Sequence, residues 1–162
     1  MNDQRMFKKV MTTFVQTFVD VYKQFTDEDL QPGGLEKLEE NSISIAGIAV
    51  IVPFTGKLSG RVLLGIDKDV ALSIYSSITG ESVEDICDDV LFSMGEFGNM
   101  VTGNAVTVVN NEFKSGIRLA PPSVFSGDEM NFVNFKVNIY NIVFKTPHGV
   151  IRLNTAFKEE AE

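Results

Sequence analysis

The chain has 162 residues, 44% of them apolar, enough for a globular domain that buries a substantial core. A net charge of −8 argues against nucleic acid and anionic membrane surfaces as partners, since both would repel it. One cysteine and one histidine leave no basis for a disulfide framework or a zinc cluster. No apolar run reaches bilayer length, and Met1–Phe25 lacks the apolar block of a secretory signal, so a cytosolic protein is expected.

The first predicted element is a helix over Asp3–Phe25, where Met6, Val10, Phe14, Phe18, Val21 and Phe25 recur at spacings of three and four. Asp27–Gly34 reads as a break, punctuated by Pro32-Gly33-Gly34, and the charged stretch Glu36–Glu40 as a solvated connector. Ser42–Phe54 is rich in β-branched residues and predicts a strand. A turn around Gly56-Lys57 then joins it to a second strand over Ser59–Ile66 as a hairpin. A short helix follows over Asp67–Thr79, with Asp67 as N-cap, Val70, Ile74 and Ile78 as its apolar face, and Gly80 at its end.

A long helix is expected over Val83–Phe113, capped by Ser82 with Asp85 three residues on. Its apolar stripe is Ile86, Val90, Met94, Phe97, Val101, Ala105 and Val108, with Cys87 beside it as a small core residue. Asp85, Asp88 and Asp89 suit the dipole of its first turns better than they suit a metal. Beyond Pro121-Pro122 the period changes to two. Asn131–Lys145 alternates Phe135, Val137 and Ile139 against Lys136, Asn138 and Tyr140, as one strand does. Pro147-His148-Gly149 makes a turn with His148 on the surface, and Val150–Phe157 returns as the last strand. The sum is an α+β fold occupying 1–162 as a single domain, with helices on one face of a largely antiparallel sheet.

Chemistry concentrates on the long helix. At about 100° per residue, Glu96, Asn99 and Gly103 fall nearly opposite the apolar stripe, with Phe92 one turn upstream. Residues three apart sit about 5–6 Å from each other at Cβ, so Glu96 and Asn99 can act jointly on one incoming group. The carboxylate can hold a cation, and the carboxamide, both donor and acceptor, can orient a water. Gly95, Gly98 and Gly103 each cost about 1 kcal/mol relative to alanine inside a helix. Close approach of another surface, within the chain or from a partner, would compensate.

The string Gly95-Glu96-Phe97-Gly98-Asn99-Met100-Val101-Thr102-Gly103-Asn104-Ala105 resembles the signature helix of the CheC/CheX family of chemotaxis phosphatases. The hairpin Phe54–Leu64 and the helix ending in Thr79-Gly80-Glu81 also fall where a CheX-type chain has them. The resemblance implies a CheC-like fold, a homodimer, and hydrolysis of the aspartyl phosphate of a CheY-like response regulator. Asn99 would position the attacking water and Glu96 would engage the regulator's lysine. Phe92, Gly95 and Gly103 would flank the partner contact. No cofactor is expected on this chain, because the Mg2+ would belong to the regulator. The single Glu-x-x-Asn pair suits a CheX-type site better than a two-site CheC pattern, whereas Phe92 departs from the Asp or Ser usual at its position. A non-catalytic module that binds a regulator, as a flagellar-switch relative would, is the rival reading. A small-ligand-binding domain is the third.

Overall fold

The computed structural model describes residues 3–38, 41–134 and 137–160. Among the described residues three helices, α1 (Asp3–Thr26), α2 (Lys68–Thr79) and α3 (Asp88–Phe113), pack with eight strands. The strands are β1 (Gln31–Pro32), β2 (Glu36–Leu38), β3 (Ser42–Thr55), β4 (Leu58–Ile66), β5 (Arg118–Leu119), β6 (Ser123–Val133), β7 (Asn138–Thr146) and β8 (Gly149–Glu159). They form one sheet in the order β1-β7-β8-β4-β3-β5, with β2 also on β7 and β6 also on β3. Every pairing is antiparallel, so the α+β expectation holds.

Alternation along the strands sends one set of side chains toward the helices. Val50 and Val52 of β3, Val62 and Leu64 of β4, Leu153 of β8 and Phe144 of β7 are all fully buried in one core with α1, α2 and α3. Aromatic rings bind the layers together: Phe18 of α1 stacks on Phe144 at 4.6 Å and meets Phe97 of α3 edge-on at 5.9 Å. A smaller cluster on the opposite sheet face gathers Ile45, Ala49 and Leu63 beneath Ile43, Met130 and Phe132. The β3–β6 register shifts between Ile45 and Gly47, and Gly47 takes φ +104°, a conformation costly for residues with a Cβ.

Several sequence expectations are corrected. Glu36–Leu38 is not a connector but β2, pairing Leu38 with Ile139, while Glu39 and Glu40 lie outside the described residues. Gln31–Pro32, inside the expected break, pairs with the same strand β7. An open strand edge offers N–H and C=O groups that override the local polarity of the segment receiving them. The single strand expected over Asn131–Lys145 is two, β6 and β7, and its Phe135 and Lys136 lie outside the described residues.

The long helix starts at Asp88, with extended Cys87 as its N-cap residue, and not at Val83. Ser82 and Asp85 form no helix cap, because Asp85 accepts from its neighbour Ile86 N–H at 2.8 Å and pairs with Lys68 at 3.0 Å. Ile86 therefore precedes the helix, and Cys87 is exposed, not a core residue. At the other end Val109 is buried while Val108 is 47% exposed, since a straight helix keeps i+4 steps on its inner face here. Ile78 likewise stays exposed at the end of α2, and Asp67 makes no side-chain cap. Its carboxylate instead accepts from Val150 N–H at 2.9 Å and faces Arg152 at 3.6 Å, tying α2 to β8.

Candidate functional site on the outer face of α3

Helix α3 is fastened at both ends. Asp88 and Asp89 in its first turn complement the N-terminal end of the helix dipole. At its C-terminus Lys114 takes a left-handed conformation, φ 52°, and donates its N–H to Asn110 O. The Asn110 carboxamide then holds the next turn: Oδ1 accepts from Ile117 N–H at 2.8 Å and Ser115 Oγ at 2.7 Å, while Nδ2 donates to Ile117 O at 3.0 Å. Sequence periodicity assigned no role to this asparagine, since its partners lie in a loop. Lys9 of α1 pairs with Glu112 and clamps the same end from the side.

Between these fastenings α3 seats closely on the sheet. A Cβ added to Gly98 would lie 2.7 Å from Val50 Cγ1, and one added to Gly95 would lie 3.0 Å from Val124 Cγ2. Gly95 is buried, so the surface that requires its small size is the chain's own strand β6. At Gly103 an added Cβ meets only Leu119, at an ordinary 3.7 Å.

Glu96 is exposed and Asn99 half-buried on the outer face, one helical step apart, with Gly103 one turn further along. The other side-chain bonds of the helix run back to its own carbonyls, from Thr102 to Gly98 O and from Thr107 to Gly103 O. Among the described residues no ion pair engages Glu96. Acid and amide are thus presented outward on a rigid rod, free to meet an incoming group.

Phe92, one turn upstream of Glu96, is 77% exposed and stands between two apolar grooves. The one toward β6, about 260 Å³, is lined by Leu91, Gly95, Pro122 and Val124. The one toward α1 and α2, about 330 Å³, is lined by Phe25, Ile78, Phe97 and Met100. Both also touch Phe92 and Glu96. Sequence reasoning missed the grooves, because their walls come from four separate elements. The available signal was the pair of apolar residues off the inner stripe, Phe92 and Met100.

Elsewhere the chemistry is sparser. A wider polar hollow of about 590 Å³ gathers Asp67, Lys68, Asp85 and Asp128, away from the acid–amide pair. His148 is exposed in the β7–β8 turn, as expected. Arg61, on the sheet face away from the helices, donates to Asn134 Oδ1 at 3.1 Å and Asn154 O at 3.0 Å. Burial pulls its pKa down to about 10, and it stays charged at neutral pH. Among the described residues no group of three or more His, Cys, Asp or Glu is placed to hold a metal ion. No described helix is long and apolar enough to cross a membrane.

Comparison with known proteins adds independent findings. The family model described as chemotaxis phosphatase CheX matches residues 48–145, a span that includes all of α3. No curated protein sequence matches the chain. Among solved structures, CheX of Desulfovibrio desulfuricans is 24% identical with a TM-score of 0.84, over 93% of this chain and 99% of that one. A CheC-like superfamily protein from Shewanella sp. PV-4 is 21% identical with a TM-score of 0.84, over 98% of this chain and 99% of that one. The Borrelia burgdorferi CheX-CheY-BeF3-Mg2+ complex contains a chain 23% identical with a TM-score of 0.79, over 92% of this chain and 97% of that one. At these identities the structural likenesses establish the CheC-like fold.

Proposed function

The chain belongs to the chemotaxis phosphatase CheX family, and from that premise we propose that Glu96 and Asn99 carry out hydrolysis of the aspartyl phosphate on a CheY-like response regulator. The observation that carries this assignment is the outward placement of the two side chains, one helical step apart, on a helix fastened behind and at both ends. An acyl phosphate is already activated, so its hydrolysis needs mainly a water held in line with the phosphorus.

Asn99 can accept from that water through Oδ1 and donate through Nδ2, which fixes its orientation without removing its proton. Its partial burial limits the positions the amide samples. Glu96, more exposed, offers a carboxylate to a lysine beside the regulator's phosphoryl group. That charged bond gains strength as the interface excludes water. The Mg2+ belongs to the regulator in this reading and neutralises charge developing on the phosphoryl oxygens. The Borrelia complex, which holds CheX, CheY and Mg2+ together, supports such a partner. A homodimer, implied by the family resemblance, and a cytosolic location, expected from the N-terminal sequence, are part of the same reading.

The test is turnover of a phosphorylated receiver domain by substoichiometric protein. Asn99→Ala is expected to lower kcat on the order of 100-fold while binding survives, as loss of a positioning group does. Glu96→Ala is expected mainly to raise KM. Binding without acceleration by the unmodified chain would instead establish a non-catalytic module, and wild-type rates in both variants would overturn the assigned roles.

A further inference from the structure

Resting on that reading, we propose that Phe92 selects the regulator: it acts as an apolar wedge, and the groove on each side of it receives an apolar side chain of the receiver domain. A solvent-facing phenyl ring at 77% exposure gains little from its own fold. Here it is also the shared wall of two grooves whose linings are dominated by carbon. The first groove owes depth to Gly95, where a Cβ would project to within 3.0 Å of Val124. The second is bordered by Met100, 41% exposed, whose unbranched thioether adapts to differently shaped occupants.

The occupant follows from continuity. Glu96 borders both grooves, and Asn99 lies one helical step beyond it. A protein that brings a phosphoryl group to Asn99 and a lysine to Glu96 is thereby set against the edge that both grooves share, with Phe92 one turn away. The chain's net charge of −8 supplies no long-range attraction toward an acidic receiver surface, so discrimination falls to apolar fit at the contact. Aromatic residues, phenylalanine among them, are enriched at the buried centre of such contacts.

The experiment measures steady-state dephosphorylation of a panel of receiver domains, each phosphorylated with acetyl phosphate, by the full chain and its variants. With the preferred receiver, Phe92→Ser is expected to raise KM about tenfold and leave kcat within about twofold, whereas Phe92→Leu retains most of the affinity. Met100→Ser, in the second groove, should raise KM in the same direction, with thermal unfolding checking that each variant is folded. Wild-type KM and an unchanged receiver preference in Phe92→Ser, while Asn99→Ala still lowers kcat about 100-fold, would overturn the wedge and leave the phosphatase assignment standing. Undiminished turnover in Asn99→Ala would remove the assignment itself, and the wedge with it.

Discussion

Along α3, the residues that turn inward and those that turn outward answer to different physical demands. Inward, Val90, Met94, Phe97, Val101, Ala105 and Val109 are sealed from solvent, and Gly98 lets Val50 come within a distance no larger residue permits. Outward, Phe92 stands 77% exposed, Glu96 is exposed, and Asn99 lies half-buried on the same face. The inner face spends its chemistry on immobility, and this lets a few outer atoms be placed accurately without support of their own. Close packing behind the helix and sparse contact in front of it are two parts of one device.

Substitutions on the two faces should therefore separate stability from rate. The largest effect is expected for Phe97→Ala, which empties a site packed against Phe18 and Phe25. It should cost about 3–5 kcal/mol of stability, read by urea denaturation. In the folded fraction kcat should stay near the wild-type value, and any further loss should fall on KM, since Phe97 also lines the second groove. Asn99→Ala should do the opposite: its rate loss of about 100-fold corresponds to about 2.7 kcal/mol in the barrier, with the unfolding midpoint almost unmoved. If Asn99→Ala instead unfolds the protein, the two faces are not separable in this way.

Gly98→Ala probes the seam between them. Its added methyl would press on buried, β-branched Val50, a cost of about 1–3 kcal/mol, partly offset by up to about 1 kcal/mol of helix propensity. A stability loss accompanied by a lowered kcat in the folded fraction would show that the seating of α3 also sets the placement of Asn99. A change in stability alone would confine that glycine to packing.

The smallest effect concerns α1, which backs α3. Tyr22 is fully buried, and burial, reinforced by its bond to Glu28 Oε2 at 3.0 Å, raises its pKa above the ordinary 10.0. The unfolded tyrosine therefore ionises first, so this contribution is intact below about pH 10 and is lost as pH rises further. Denaturation midpoints measured from about pH 9 to about pH 11 should fall, and Tyr22→Phe should flatten part of that slope. Tyr140, also raised by burial, leaves a residual decline.

Local pattern made the first helix, the β3–β4 hairpin, the last strand and the acid–amide pair legible, because each depends on a period or turn contained within its own segment. The same local logic failed at Ser82, where a serine–aspartate spacing suggested a cap, because Lys68 from another helix drew Asp85 away. It failed at Cys87 for a related reason: a residue beside an apolar stripe is buried only if the helix has already begun there, and α3 begins one residue later.

The amino-acid sequence by itself determined the α+β class, the amphipathic rod and the outward position of Glu96 and Asn99, since helical periodicity fixes which side chains share a face. Only the tertiary structure decided that Glu36–Leu38 completes a sheet edge, that Gly95 and Gly98 answer to β6 and β3, and that Phe92 is flanked by two grooves. Those outcomes depend on surfaces contributed by distant segments, and no window of sequence contains both sides of such a contact.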